Sequence, residues 1–263
     1  MSDRSQTVSA GRRGVVRIVA PILFGIAALA LWQGLVNALH ILPFVLPGPV
    51  AIATQFGLRA PFVLTAALIT AGNALIGLII GTVLAAVFAA LSAAVRALDE
   101  LSAPLVTAFS VIPIVSLAPA LYTMFGADVQ TARILIAAIA AFIPIYFNTL
   151  RGLRTVQPIH RDLMRSYAAS RWQTTRAVTL PGALPYFFTG VRIASSLAVI
   201  SSLIAEDFGG PINGLGTSIT SAVSSSNYPL AWAFVLGAII TGLVFYCVTL
   251  ALETAATWHR ASA

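Results

Sequence analysis

Long runs without a charged residue constrain the fold of this chain more than any other feature of its sequence. Between Arg17 and Arg59 there is no Asp, Glu or Arg, and residues 61–95 are again free of charge. Runs of this length can cross the hydrocarbon core of a bilayer as helices. Together with a mean hydropathy of +0.94 and a charged fraction of 9%, they predict an all-α integral membrane protein.

Six membrane-spanning helices are predicted from the apolar runs and the charges that separate them. The third contains Pro113 and Pro119, whose missing N–H groups loosen a helix near mid-membrane, and the fourth contains Pro144. The proline-rich segment 40–59 predicts an outer surface loop with one short interfacial helix. The predicted spans cover residues 19–39, 61–95, 101–127, 134–150, 186–206 and 230–252.

The second predicted span carries a face of small residues. Gly72, Gly77 and Gly81 recur along residues 61–95. Small residues allow the backbones of two membrane helices to approach closely. We therefore expect these three glycines to pack against another helix.

The distribution of arginines supports the count of six and predicts the orientation. All 15 basic residues are arginine, and the six-span topology places 13 of them on the side of the N terminus. Only Arg59 and Arg133 fall opposite, with Asp128 and Arg133 marking a short outer turn. Cytoplasmic loops are enriched in arginine. Both termini are therefore expected in the cytoplasm, with residues 1–17 and 254–263 as tails and residues 18–253 as one transmembrane domain.

A basic stretch, residues 161–185 within a predicted cytoplasmic loop of residues 151–185, is the only long polar interruption of the apolar sequence. Pro158 suits the first turn of a helix, and Asp162 would favour the positive end of its dipole. Small residues at Ala168 and Ala169 would permit a bend or a close approach by another backbone. Together these features predict a basic helix-turn-helix that could seat in a groove of a soluble partner, although the same arginines could serve membrane topology alone.

Within this stretch, apolar residues recur at helical spacing while polar residues point elsewhere. The predicted apolar stripe comprises Leu163, Met164, Tyr167, Ala168 and Trp172, and the residues that point away from it are Arg161, Arg165 and Gln173. Pro181 and Pro185, with Gly182, are expected to end the element just before the fifth span.

The stretch resembles the cytoplasmic EAA loop of binding-protein-dependent ABC importer permeases. In that loop E-A-A is followed by three residues, G, nine residues and I-x-L-P. Here Asp162 takes the acidic position, Leu163 and Met164 the two alanines, Ala168 the glycine, and VTLP, ending at Pro181, the closing motif. The acidic character and the Leu-Pro end are retained, and the intervening small residues are changed.

The resemblance extends over some four fifths of the chain. LPGPVAIATQF, PIVSLAPALYTMFG, AASRW, LPGALPYFFTGVRIA and AEDFGGPINGLG occur in order. Together they are similar to the nitrate/sulfonate/taurine branch of these permeases, and LMRSYAASRW also resembles permeases for pyrimidine vitamin precursors and riboflavin. The resemblance implies a six-helix type I importer (MetI-like) fold in the bacterial cytoplasmic (inner) membrane.

The partners that the resemblance implies are a second permease copy, two cytoplasmic ATPases and an extracytoplasmic solute-binding protein. ATP and Mg would be bound by the ATPases, since this chain has no G-x-x-x-x-G-K-[ST] sequence. The basic stretch would transmit ATPase closure to the spans. Its expected coupling residues are Arg161, Asp162, Met164, Arg165, Tyr167, Ala168, Ala169, Trp172, Leu180 and Pro181.

Polar side chains within the spans are the candidates for a translocation pathway, because polar groups are costly in lipid and usually face an interior or a cavity. The candidates are Ser110 and Ser116 beside the kink at Pro113, then Ser195, Ser202 and Glu206 on one face of the fifth span, and also Asn73 and Asn148. Serines in membrane helices also bond to their own backbone, and Glu206 could be merely interfacial. The Gly/Ser-rich segment 208–227 suits either a flexible connector or an outer re-entrant helix that touches the binding protein.

Other classes of function find less support in the sequence. No catalytic acid-base pair, cofactor motif or metal-ligand cluster is recognisable, since the three histidines are isolated and the single Cys247 lies in an apolar run. A basic soluble face for nucleic acid is missing as well. A secondary carrier, which would call for intramembrane ionisable groups and an inverted repeat, and a passive channel are the alternatives to an ATP-driven importer.

Overall fold

A computed structural model describes residues 4–126, 129–155, 157–211 and 213–258. Within these ranges every regular element is helical, which confirms the all-α prediction. The predicted turn at Asp128 and the last residues of the C-terminal tail lie outside the described residues. In chain order the α-helices are α1 (Arg4–Ala38), α2 (Pro49–Leu58), α3 (Ala60–Ala94), α4 (Arg96–Val111), α5 (Ala118–Phe125), α6 (Thr131–Arg154), α7 (Pro158–Ser166), α8 (Arg171–Thr174), α9 (Leu180–Asp207), α10 (Leu215–Ser224) and α11 (Tyr228–Trp258).

Five helical stretches among the described residues are long and apolar enough to cross a membrane. They are Val19–Ala38 within α1, then α3, α6, the stretch Arg171–Asp207 that ends with α9, and α11. Each contains all or nearly all of one predicted span, and Arg171–Asp207 also includes the end of the predicted basic stretch. The short interfacial helix predicted for the segment 40–59 is present as α2.

The predicted third span differs from the others because it is not one helix. Helix α4 ends at Val111, a 3-10 turn follows at Ile114–Leu117, and α5 continues from Ala118. Pro113 explains the break, since a proline disfavours helical geometry in the residue before it, and Ile112 is extended with ψ 128°. The count of six stays a prediction that depends on α4 and α5 crossing the membrane together.

The centre of the bundle is formed by α3, α6 and α9, which pack through small side chains. A Cβ on Gly77 would lie 2.6 Å from the Cβ of Ala137, and one on Gly81 would lie 2.5 Å from the carbonyl oxygen of Ala138. These distances confirm the predicted close packing, here against α6. The prediction is wrong for Gly72, where a Cβ would meet nothing within 4 Å because that residue faces away from the neighbouring helices.

Helix α1 contacts the rest of the chain near its C-terminal end. The Trp32 ring meets Trp232 of α11 edge-on, with centroids 5.9 Å apart, and the Gln33 side chain accepts a hydrogen bond from the Val50 N–H of α2. Most of its described apolar side chains, from Val19 to Leu31, are exposed in the isolated chain. Lipid or a neighbouring subunit must therefore cover this helix.

Candidate functional site: an exposed helix-turn-helix and a buried polar network

The exposed helix-turn-helix consists of α7, the turn at residues 167–170 and α8. Pro158 occupies the first helical positions of α7, as predicted. The helix ends where Ala168 adopts a left-handed φ of +51°. The Ala168 N–H donates to Arg165 O, and the Ala169 N–H donates to Met164 O, which is the Schellman arrangement. The predicted bend at Ala168 is therefore present, at a position where glycine would be unstrained.

Ser170 starts the second arm of the helix-turn-helix through a capping box. Its hydroxyl accepts from the Gln173 N–H at 3.3 Å, while the Gln173 side chain accepts from the Ser170 N–H at 2.7 Å. This reciprocal pair satisfies backbone donors that would otherwise be free at the start of α8. The turn between α7 and α8 is thus fixed by local hydrogen bonds on both sides.

Two predictions about this region are wrong. The five apolar residues do not form a single helical stripe, because the left-handed Ala168 places Leu163 and Trp172 on separate helices. Pro181 and Pro185 also do not end the element. The chain passes from α8 through a π-helical segment, Thr175–Thr179, directly into α9. The wider π-turn accommodates the prolines, since it changes the hydrogen-bond register just before Pro181.

Large apolar side chains of the helix-turn-helix are uncovered. Tyr167 is 75% exposed and Trp172 67% exposed, and Leu163 is also exposed, whereas Met164 is half-buried. Asp162 and Arg165 form a loose ion pair at 3.4 Å on the same surface. Arg161 lies within α7, and its side chain is outside the described set. Exposed aromatic residues flanked by charges are typical of a surface that a partner protein covers.

A buried polar network at the opposite end of the bundle centres on Arg133. The prediction of an outer turn at Arg133 is wrong, because the residue lies in the first turn of α6 and is completely buried. Its guanidinium donates to Tyr122 Oη, Gln130 Oε1, Asn213 Oδ1 and the carbonyl oxygens of Gly209 and Pro211, at 2.7–3.2 Å. The guanidinium therefore ties the loop after α9 to α5 and α6.

Glu206 and Thr70 form the second part of this network, and no described hydrogen bond links them to the part around Arg133. The Glu206 side chain is 1% exposed, and its carboxylate accepts from Thr70 Oγ1 at 2.8 Å and from the Gly216 N–H at 2.7 Å. Thr70 in turn accepts from the Leu215 N–H at 2.9 Å. A Cβ on Gly214 would lie 2.3 Å from the carboxylate. Glu206 therefore fixes the start of α10 against α3 and α9.

We define the buried polar network by seven side chains from six parts of the fold. Beyond the contacts already given, Asn73 donates to Gln130 at 2.9 Å, and Gln130 donates to Asn213 at 3.2 Å. The network therefore joins α3, α5, α6, α9 and the loops that precede α6 and α10. Its members are Thr70, Asn73, Tyr122, Gln130, Arg133, Glu206 and Asn213.

The predicted pathway residues fall into two groups in the structure. Ser110, Pro113 and Ser116 are exposed at the break after α4, and the two hydroxyls donate to Thr107 O and Pro113 O. Ser195 and Ser202 are buried between helices, and Ser195 contacts Thr249 of α11 at 3.1 Å. Within a single chain, the first group alone faces open space.

Asn148 and Arg192 also have partners inside the chain. Asn148 donates to Pro144 O at 2.8 Å, which satisfies a carbonyl near the proline of α6. Arg192 forms an ion pair with Glu253 of α11 at 2.8 Å and donates to Tyr246 Oη. The charge of Arg192 is thereby neutralised within the bundle.

Four members of the network were not identified from the sequence as candidate polar residues: Thr70, Tyr122, Gln130 and Asn213. One feature of the sequence did indicate part of the network: Arg133 stands at the start of an otherwise apolar run, with Gln130 three residues before it. A lone arginine inside a membrane helix needs internal partners, and this alone could have identified Arg133 as buried.

Comparisons with known proteins agree with the resemblance inferred from the motifs. Residues 77–257 match the family of binding-protein-dependent transport system inner membrane components. The chain is 35% identical over 227 residues to the riboflavin transport system permease protein RibX of Chloroflexus aurantiacus, covering 86% of this chain and 84% of that protein. It is 36% identical over 190 residues to the putative aliphatic sulfonates transport permease protein SsuC of Escherichia coli, covering 72% of each.

The fold is shared with a solved transporter. The crystal structure of an amino acid ABC transporter with histidines matches with a TM-score of 0.59 at 16% identity, covering 78% of this chain and 95% of that one. This likeness shows the fold, and the family match covers well over half of the chain. The chain therefore belongs to the family of binding-protein-dependent transport system inner membrane components, the permease subunits of ABC transporters.

Proposed function

We propose that this permease subunit forms the translocation pathway of an ATP-driven importer, and that the exposed helix-turn-helix is its contact with the ATPase. The observation that carries this proposal is the pair of uncovered aromatic rings, Tyr167 in the turn and Trp172 in α8, beside hydrogen bonds that fix the turn. A rigid projection can transmit the movement of a partner to α9, because α8 continues into α9 without a break.

The complete importer would contain a second copy of this chain, two cytoplasmic ATPases that bind ATP and Mg, and an extracytoplasmic binding protein. Family membership supports these partners, and the largely uncovered α1 and the exposed break after α4 leave surface for a second copy. We further propose that both termini lie in the cytoplasm, as the arginine distribution predicts.

Affinity purification from the native membrane in mild detergent tests this proposal. The tagged wild-type chain should recover an ATPase with a Walker motif, and replacing Asp162 and Trp172 by alanine should abolish the association. Trp258→Ala is the matched control, because Trp258 is 75% exposed and belongs to α11, not to the helix-turn-helix. A wild-type chain that purifies alone and transports solute in liposomes without ATP would instead indicate a secondary carrier or a channel.

For the substrate, we propose a small anion of the sulfonate, taurine or nitrate type. Support comes from relatives that include the aliphatic sulfonates permease and the taurine transport system permease protein TauC of Escherichia coli, 33% identical over 119 residues. Arg133 and Arg192 both have partners inside the chain, so neither is free to clamp an anion. Selection would then rest with the binding protein.

Riboflavin or a pyrimidine vitamin precursor is the second candidate substrate. The riboflavin permease relative favours it because that match extends over 86% of the chain. Proteoliposomes that contain the co-purified importer and its binding protein can separate the two, with labelled taurine and labelled riboflavin as the probes. ATP-dependent uptake of taurine alone supports the anion, and uptake of riboflavin alone supports the second candidate.

A further inference from the structure

A cavity of about 540 Å³ lies behind the exposed helix-turn-helix, where it meets the ends of α3 and α6. One wall is apolar and comes from the last turns of these helices, including Ala93, Ala94 and Leu153. The other wall is polar and contains Arg165 of α7 and Arg171 of α8. The cavity therefore combines a hydrocarbon-like surface with two guanidinium groups at the level where the membrane helices end.

The two arginines of this cavity are available to an anion. Arg171 is exposed, and its side chain has no ion-pair or hydrogen-bond partner within the part of the chain that the structure describes. Arg165 contacts the Asp162 carboxylate through one nitrogen at 3.4 Å, with the Arg165 side chain 81% exposed. A guanidinium has five N–H donors, so most of those of Arg165 remain free.

The hydroxyl groups on the polar wall contribute less than the arginines. Thr174 and Thr175 donate to the carbonyl oxygens of Ser170 and Arg171, at 3.1 and 3.0 Å. These two hydroxyls therefore offer only lone pairs to a ligand. Recognition of an anion must come mainly from the two guanidinium groups, whose planar fork matches the oxygens of a phosphate.

We propose that this cavity binds the phosphate headgroup of an anionic phospholipid. Basic pockets between membrane helices at the cytoplasmic surface suit such headgroups, and the alanine and leucine wall suits the adjoining acyl chain. A bound phosphate would join Arg165 and Arg171 across the turn at Ala168. It would thereby hold the helix-turn-helix against α3 and α6, independently of any ATPase.

The test uses the full-length chain, purified in detergent and titrated with phosphatidylglycerol or with phosphatidylcholine of the same acyl chains. Native mass spectrometry counts the bound lipid. Wild-type protein should prefer phosphatidylglycerol. Arg171→Gln and Arg165→Gln should each weaken phosphatidylglycerol binding about fivefold, the effect of one arginine near a membrane surface. Phosphatidylcholine binding should fall less, because the choline ammonium offsets the charge of its phosphate.

Arg176→Gln is the matched control, because Arg176 is an exposed arginine of the neighbouring π-helical segment that does not line the cavity. Equal losses for Arg176→Gln and Arg171→Gln, or no preference for phosphatidylglycerol, would overturn the proposal. Arg171→Lys keeps the charge without the fork and should give an intermediate loss, which guards against a folding defect. Ala93→Phe keeps every charge, fills the apolar wall and should also weaken binding.

Competition with inorganic phosphate shows whether the cavity binds a lipid headgroup or a free phosphate group. Retention of phosphatidylglycerol in millimolar phosphate, with sensitivity to Arg171→Gln, assigns the site to a lipid. Displacement by phosphate in the wild-type chain, lost in Arg171→Gln, assigns it to a free phosphate group. Both measurements use the permease alone, so their outcome is separable from that of the proposed importer function.

Discussion

The buried polar network and the exposed helix-turn-helix lie at opposite ends of the helix bundle and differ in how far their side chains are covered by the chain itself. In the network, Arg133 and Glu206 are almost fully buried and every contact described for them is made within this chain. In the helix-turn-helix, Tyr167 and Trp172 are largely exposed, and only the turn between them is fixed by internal hydrogen bonds. The polar groups of the network are satisfied by folding, whereas the two aromatic rings of the helix-turn-helix stay uncovered within a single chain.

This difference indicates where a substitution acts through stability and where it acts through assembly. Polar groups buried in a low-dielectric interior are costly to leave unpaired. An exposed aromatic residue contributes little to folding, and much to binding once a partner desolvates it. Substitutions in the buried polar network should therefore lower the free energy of unfolding most, and substitutions in the exposed helix-turn-helix should change it least.

Arg133→Met should give the largest loss of stability. It leaves the Tyr122 hydroxyl oxygen and the Gly209 carbonyl oxygen without their described donor, and it removes one of two donors from Gln130 and from Asn213. We expect a cost of about 3 kcal/mol. Unfolding of the detergent-solubilised chain by increasing SDS, followed by tryptophan fluorescence, measures it. Arg59→Met removes an exposed arginine whose described contact is with the Phe62 ring, and should cost about 0.5 kcal/mol or less. Equal losses would contradict the role given to the network.

Glu206→Ala should destabilise the chain less, by about 2 kcal/mol, because the Thr70 hydroxyl and the Gly216 N–H lose their acceptor. The effect should be local to the start of α10. Hydrogen exchange of the Leu215 and Gly216 amides should accelerate more than that of amides in α6. Asp207→Ala is the control, since that exposed carboxylate accepts from Thr220 alone among the described hydrogen bonds. Unchanged protection at Gly216 would show that Glu206 does not hold α10.

The membrane spans were predictable because hydrophobicity depends on local sequence. Five described helical stretches contain all or nearly all of a predicted span, and of the two possibilities that small residues left open at Ala168, a bend or a close approach, the structure has the bend. Gly77 and Gly81 were correctly expected to pack closely, but sequence spacing could not show that Gly72 points away from α6. The face that a membrane helix buries is decided by its neighbours, and an almost uniformly apolar helix carries no marker of that face.

The polar network could be predicted only in part because its members are far apart in the chain. Glu206 and Asn73 were recognised as polar groups on spans, but Thr70 lies 136 residues from the carboxylate that it contacts. Arg133 was placed in a loop because arginine is usual there and rare inside a membrane helix. The π-helical segment before Pro181 was also not foreseeable, since a proline ordinarily indicates the end of a helix.

Ala168→Gly should raise the stability of the exposed end slightly. An alanine with a φ of +51° pays a steric cost of about 1 kcal/mol that glycine avoids. The matched control is Ala169→Gly, where φ is not positive and the added freedom of the unfolded chain should lower stability. The same SDS unfolding measurement compares the two. A loss of stability in Ala168→Gly would show that the turn depends on the alanine methyl group.

Trp172→Ala should change the stability of the isolated chain least of all, by about 0.5 kcal/mol or less, because the side chain is already 67% exposed. The affinity of the Trp172→Ala variant for the ATPase should nevertheless fall about 30-fold, as expected for an aromatic side chain that contributes roughly 2 kcal/mol to an interface. Arg133→Met should show the reverse pattern, with reduced stability and, in molecules that remain folded, unchanged ATPase affinity. A titration of labelled ATPase onto each variant measures the second quantity. If Trp172→Ala instead lowered the free energy of unfolding as much as the free energy of ATPase binding, Trp172 would be part of the folded core. The helix-turn-helix would then not differ from the buried polar network in this respect.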